Sequence, residues 1–151
     1  MKGKTWVIDS NAFIHFGNLA KEEFKVDLSK YLQKNESSLN VTSGVHGEVR
    51  NVRFKVWEGR PNLLETLQDI LVTSEVSDAE IRSVASTIGE KAAPQDVDLS
   101  LMILAARFHQ DGKKVTLVTD DFKMTTTKEK AGFGFDTCPP STFLFRISED
   151  I

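Results

Sequence analysis

The chain alternates between short apolar runs and longer stretches in which apolar residues recur at helical spacing. The short runs are rich in β-branched residues, which favours buried strands. We predict such strands at residues 5–9, 41–43, 72–76 and 115–119. A fifth strand is predicted at residues 142–147, because Phe143, Phe145 and Ile147 recur at every second position.

The stretches with helical spacing predict amphipathic helices. These are expected at residues 27–34, 45–57, 63–71, 81–88, 98–110 and 122–131. The helix at 98–110 is apolar nearly all round, which is typical of a buried helix. Ser77 and Glu80 form a capping box, and Gly89 and Gly132 end two of the helices. Residues 35–40 and 138–140 are predicted loops.

Strands that alternate with helices indicate an α/β fold. We predict a three-layer domain with a mainly parallel central sheet flanked by helices. The length of 151 residues fits a single domain over residues 1–151. Crossover connections between parallel strands are expected to be right-handed.

Composition and charge limit the kinds of partner and the cellular compartment that we expect for the protein. The net charge of −3 means that any nucleic-acid role needs a local basic face. Cys138 is the single cysteine, so an internal disulfide or a cysteine-rich zinc site is excluded. The sequence has no apolar stretch long enough for a signal peptide or a membrane span, and we expect a reducing, cytoplasmic setting without a membrane partner.

Carboxylates follow or begin several of the predicted elements. Asp9 closes the first apolar run, Asp120 and Asp121 follow the run at 115–119, and Asp98 opens the buried helix. The carboxyl ends of parallel strands share one edge of a sheet, where ligands bind. Hard divalent cations prefer oxygen ligands. The pattern therefore indicates an acidic metal site.

Each carboxylate also has a purely structural interpretation. Asp9 suits a turn or a helix N-cap, although Ser10 or Asn11 is the expected cap of the helix that follows. Asp96 competes with Asp98 for the cap of the buried helix, and if Asp96 caps it, Asp98 lies in the first turn. The pair Asp120–Asp121 suits a turn and a cap, and Glu48 in a first helical turn is explained by the helix dipole.

The order of these motifs resembles that of the PIN-domain nuclease family. The matching segments are spread over nearly the whole chain, at residues 7–14, 41–43, 45–49, 98–106 and 118–122. Each segment is short, so the resemblance comes from their order. A strand that ends in Asp is followed by a second strand, by a helix that carries Glu, by a buried helix that begins with Asp, and by a strand that leads into Thr-x-Asp.

The resemblance implies a metal-dependent ribonuclease whose acidic cluster holds Mg²⁺ or Mn²⁺. Its products would carry a 5′-phosphate and a 3′-hydroxyl. Carried over by position, the central carboxylates are Asp9, Glu48 and Asp98, the fourth is Asp121, and Asp120 assists. The polar positions that border the cluster are Ser10, Asn11 and Thr119.

Within the family, two kinds of member are similar to this chain. The spacing between Glu48 and Asp98 is closest to the PIN domain of the endonuclease that trims the 3′ end of small-subunit ribosomal RNA, whose usual zinc ribbon is missing here. That likeness implies a ribosomal particle as partner. The rival is the toxin of a toxin–antitoxin pair, which implies an antitoxin peptide and a homodimer.

We expect the RNA to be single-stranded. Binding of RNA requires positive charge on the protein near the acidic cluster. Arg50 and Arg53 follow Glu48, and Lys123 follows Asp121, so these three side chains are candidate RNA contacts. Solvated helix faces are the alternative interpretation of each. Two other classes stay open, a PIN fold that binds RNA or protein without cutting and a receiver-like domain with an acidic pocket.

Overall fold

The computed structural model describes residues 4–10, 12, 21–45, 69–89 and 96–149. Over these residues five strands form one sheet in which every neighbouring pair is parallel. The strand order is β3-β2-β1-β4-β5. The strands are β1 (Lys4–Ile8), β2 (Ser38–Thr42), β3 (Leu71–Ser74), β4 (Lys114–Val118) and β5 (Asp136–Cys138).

Helices cover both faces of this sheet. They are α1 (Lys21–Lys34), α2 (Asp78–Ile88), α3 (Asp96–Gln110), α4 (Phe122–Ala131) and α5 (Pro140–Glu149). Helix α3 packs on β1, β2 and β4 with α2 and α4 beside it, and α1 packs against α5. The Phe143 ring of α5 meets the Trp6 ring of β1 edge-on at 4.9 Å between centroids. The predicted three-layer α/β architecture with a parallel sheet is confirmed.

The central strands are buried on both faces, as parallel sheets require. Trp6, Val7 and Ile8 of β1 have no exposed surface, nor do Leu117 and Val118 of β4. This burial agrees with the prediction of buried strands from the continuous apolar runs at these positions. Helix α3 is buried from Leu99 through Ala105, so the prediction of a buried helix is also confirmed.

The predicted capping box at helix α2 is confirmed. The Ser77 side chain accepts a hydrogen bond from the Glu80 backbone N–H at 3.2 Å, as an N-cap does. The Glu80 carboxylate reaches back to Ser77, whose backbone N–H and hydroxyl groups donate to it. It also accepts two hydrogen bonds from Nη2 of Arg107, at 3.0 and 2.9 Å. Glu80 therefore ties α2 to α3. Gly89 ends α2 with a φ of 103°, a conformation that favours glycine.

The prediction of a final strand at residues 142–147 is wrong, because this segment is helix α5. Phe143 and Ile147 fit a period of two, but they are also four residues apart and so lie on one face of a helix. Both are buried, whereas Phe145 is 62% exposed. Pro140 is the first helical residue, a position that proline favours. The fifth strand lies earlier, at Asp136–Cys138, where we predicted a loop from residue 138.

The observed boundaries of other helices and strands differ from the predicted ones by a few residues. Helix α1 begins at Lys21 rather than residue 27, and β2 includes residues 38–40, which we predicted as loop. Residues 43–45 are helical, so Ser43 belongs to a helix and not to the predicted strand at 41–43. The remainder of the helix predicted at 45–57 lies outside the described residues. The helix predicted at 63–71 also lies mostly outside them, and Leu71 belongs to β3. No described helix is long and apolar enough to cross a membrane.

Candidate acidic site at the carboxyl edge of the sheet

The strand order creates a switch point between β1 and β4. The chain leaves β1 toward β2 and later returns to place β4 on the other side of β1. Loops that leave such strands diverge, which opens a crevice where ligands bind in parallel α/β folds. Ile8 pairs with Val118 across this boundary, so Asp9 and Thr119 lie level just beyond their strands.

Asp9 is held rigidly at this edge. Its backbone N–H donates to the Val118 carbonyl at 3.2 Å, which extends the pairing of β1 with β4 by one bond. Its Oδ1 atom accepts a hydrogen bond from the Ala12 N–H at 2.8 Å. Asp9 thus caps the helical turn that follows it. The expectation that Ser10 would cap is wrong, because Ser10 is already helical, and Asn11 lies outside the described residues.

Asp9 is only 2% exposed, and this burial changes the pKa of its carboxyl group. Burial raises the pKa of Asp9 to about 6, against opposing hydrogen bonds from the Thr119 side chain and the Ala12 N–H. The charges of Asp120 and Asp121 raise this pKa further. The ionised carboxylate is therefore poorly compensated by the described residues, and a nearby cation would favour it.

Asp121 has a similar position at the end of the neighbouring strand. It is the N-cap of α4, and its Oδ1 accepts from the backbone N–H groups of Lys123 and Met124 at 2.8 and 3.4 Å. Its own N–H donates to the Thr119 hydroxyl at 3.0 Å. Thr119 is buried and donates its N–H to the Cys138 carbonyl at 2.8 Å. Thr119 therefore links Asp9, Asp121 and the end of β5.

Asp120 and Asp98 are placed differently from Asp9. Asp120 is exposed, and its charge reaches Asp9. Asp98 lies in the first turn of α3 and is half-buried, and the helix begins at Asp96. The predicted first-turn position of Asp98 is confirmed, whereas Asp96 is not the cap that we considered, because it is itself the first residue of the helix.

A pair of hydroxyl groups that the sequence analysis missed fixes this end of α3. The Ser100 and Thr42 oxygens are 2.7 Å apart, and both residues are buried. Thr42 is the last residue of β2, and the register that pairs Val7 with Asn40 places it beside Asp9. The first turn of α3, with Asp98, is therefore anchored at the same edge as Asp9. The available signal was a serine inside an otherwise apolar helix.

The structure tests the proposed metal set only in part. Glu48, Arg50 and Arg53 lie outside the described residues. Within the described part of the chain, no three acidic, histidine or cysteine side chains are grouped closely enough to hold a metal ion. Asp9 and Asp121 offer carboxylate oxygens at the switch point, a donor type that suits Mg²⁺ or Mn²⁺ better than a soft metal.

Comparison with known proteins supports the fold. VapBC2 from Rickettsia felis, in a crystal structure bound to a DNA fragment from its promoter, is similar to this chain with a TM-score of 0.56 and 17% sequence identity. The alignment covers 89% of this chain and 98% of that chain. No protein-family model matches the sequence, and no curated protein matches it. The likeness shows a PIN-like fold, the class to which the parallel sheet and its flanking helices conform.

Proposed function

We propose that this protein is a metal-dependent endoribonuclease that hydrolyses phosphodiester bonds of single-stranded RNA. The observation that carries the proposal is the buried Asp9 carboxylate at the switch point, with the charges of Asp120 and Asp121 acting on it. Such an arrangement leaves negative charge uncompensated where α/β folds bind ligands. Products with a 5′-phosphate and a 3′-hydroxyl are expected.

In this proposal the carboxylates hold Mg²⁺ or Mn²⁺. The ligands are Asp9, Glu48, Asp98 and Asp121, and Asp120 assists. When bound, the ion supplies an activated water and offsets charge on the phosphate. Thr119 positions the other residues, because it contacts both Asp9 and the backbone of Asp121. Ser10 and Asn11 border the cluster.

The RNA strand would leave the acidic site along α4. Lys123 is exposed in the first turn of that helix, and it lines a groove of about 520 Å³ between α4 and the end of α2. Lys130 and Thr126 lie along the same groove. Positive and hydroxyl groups of this kind bind phosphate oxygens. Arg50 and Arg53 are proposed as further contacts.

Incubation with labelled single-stranded RNA tests the activity. We expect cleavage in Mn²⁺ or Mg²⁺ and none in EDTA, with 5′-phosphate ends that a phosphate-dependent exonuclease recognises. RNA that is bound but stays intact in every metal would identify a PIN fold that binds without cutting. Titration calorimetry with Mn²⁺ would then separate a site without metal from one that holds metal but does not react.

Asp121 offers a test that separates capping from metal binding. Asp121→Ala should lower the free energy of unfolding by about 1 kcal/mol, because two backbone donors lose their acceptor. Asparagine is an equally good N-cap, so Asp121→Asn should keep stability within about 0.5 kcal/mol yet lower metal-dependent cleavage. Urea unfolding and the cleavage assay measure the two effects. Wild-type cleavage by Asp121→Asn would leave Asp121 a capping role alone.

A second candidate function is the toxin of a toxin–antitoxin pair. The likeness to VapBC2 over 98% of that chain favours it over ribosomal RNA processing within a ribosomal particle. The toxin assignment implies an antitoxin peptide as partner and a homodimer. Light scattering of the purified protein reports the dimer. Arrest of growth when the protein is expressed, relieved by Asp9→Asn, would favour the toxin over a ribosomal processing enzyme.

A further inference from the structure

A second groove lies at the opposite edge of the sheet from Asp9. It begins at Lys4 and Lys114, the first residues of β1 and β4, which are paired in register. Helix α5 and the end of α1 form its walls, and its volume is about 640 Å³. We call it the amino-edge groove. Strand β1 is five residues long, so the groove is separated from the acidic edge by roughly 16 Å.

The amino-edge groove concentrates positive charge in a protein whose net charge is −3. Lys4, Lys114 and Arg146 line it, against one lining carboxylate, Glu149. Among the described residues, none of the three cations forms an ion pair. Like charges on directly paired strand positions destabilise a sheet. An anion bound in the groove would relieve that repulsion.

The pKa of Lys4 reflects its burial and the repulsion between the positive charges of this groove. Burial lowers its pKa, and the charges of Arg146 and, more weakly, Lys114 lower it further, while Cys138 and Asp136 oppose them. The Lys4 ammonium group lies 4.7 Å from the centroid of the Trp6 ring, which holds the charge next to the sheet. The Lys4 charge is thus held at the base of the groove, beside the exposed cations Lys114 and Arg146.

An exposed aromatic ring accompanies the charges. Phe145 precedes Arg146 on α5, lines the groove, and is 62% exposed. A flat apolar side chain beside a cluster of cations is the combination that binds single strands, since bases stack on the ring while phosphates contact the cations. An acidic peptide would use the cations but leave the ring without a stacking partner.

We propose that the amino-edge groove is a second binding site for single-stranded nucleic acid, distinct from the acidic edge. Phosphates contact Lys114 and Arg146, and a base stacks on Phe145. The groove is independent of the described part of the acidic site, because Asp9, Asp98 and Asp121 lie at the opposite edge of the sheet. For a nuclease, it would anchor the strand on the far side of the domain from the bond that is cut.

Binding measured in EDTA tests the groove without cleavage. Fluorescence anisotropy is followed for a short labelled oligonucleotide, as RNA and as DNA of the same sequence, over a range of salt concentrations. The double variant Lys114→Gln with Arg146→Gln should weaken binding about tenfold and lower the salt slope by about 1.4, because each lost phosphate contact on a single strand contributes about 0.7. Phe145→Ala should weaken binding at least about fivefold.

Arg82→Gln is the matched control, because Arg82 is an exposed cation on α2, outside the groove. Its affinity should stay within twofold of wild type. If the RNA and DNA probes differ in affinity, the tighter one shows whether the groove prefers ribose or deoxyribose. Three results would overturn the proposal: no binding by wild type, affinity and salt slope unchanged in the groove variants, or tighter binding of a glutamate-rich peptide that Phe145→Ala does not affect. Because the measurement contains no metal, loss of cleavage in a separate assay leaves this result intact.

Discussion

Asp9→Asn is expected to reduce metal-dependent RNA cleavage about a thousandfold or more, while the protein stays folded. The reason is that a metal ion contributes several kcal/mol of charge stabilisation to phosphodiester hydrolysis, and each 1.4 kcal/mol or so changes the rate tenfold. An amide is a much weaker ligand for a hard cation than a carboxylate. Cleavage rates at saturating Mn²⁺ measure the loss.

The asparagine variant is informative because it preserves the local structure. The Ala12 N–H bonds to Oδ1 of Asp9, and an asparagine side-chain oxygen can accept the same bond. Asp111→Asn is the matched control, since Asp111 is an exposed residue in the turn after α3. That variant should cleave at the wild-type rate. Full activity of Asp9→Asn would reduce Asp9 to a helix cap and contradict its proposed role as a metal ligand.

Sequence patterns predicted best those elements whose residues are buried on both faces of the sheet or around the helix. Burial is continuous over residues 5–8 of β1, 115–118 of β4 and 99–105 of α3, so their apolar runs carry an unambiguous signal. Helix α5 was mistaken for a strand because Phe143 and Ile147 satisfy both periods. Burial against Trp6 decides between them, and this contact spans far more of the chain than a local pattern includes.

The acidic site shows a different limit of sequence reasoning. For Asp9 and Asp121, the sequence permitted a capping role and a metal-site role, and the structure shows that both residues do cap helices. The two roles are compatible, because a strand that leads directly into a helix puts the cap residue at the ligand-binding edge. Proximity of Asp9 to the charge of Asp121 depends on strand order, which residue spacing does not encode.

Positioning residues were harder to predict than charged ones. The contact between Thr42 and Ser100 joins residues 58 apart in sequence. Hydroxyl residues are common at strand ends and helix starts for local reasons, so neither stands out. Only the register of β2 beside β1 shows that this contact supports the edge that carries Asp9.

The second large effect concerns stability and pH. The pKa of Asp9 is raised from 3.8 to about 6 in the folded protein, so the folded state binds the proton more tightly than the unfolded state. The contribution of Asp9 to the free energy of unfolding therefore becomes more favourable as the pH falls from 8 through 6 toward 4. A shift of this size corresponds to at most about 3 kcal/mol at pH 8, where Asp9 is ionised in both states.

Asp9→Asn should remove this penalty. We expect the variant to be more stable than wild type by as much as about 3 kcal/mol at pH 8 and equally stable near pH 4, as measured by urea unfolding at several pH values. Mn²⁺ should reverse the order at pH 8, because it stabilises only a protein that still binds it. A constant difference between the two proteins at every pH would show that burial does not perturb Asp9. A variant that is inactive but more stable would instead show that the buried carboxylate is retained at a cost to the fold, as a functional group is.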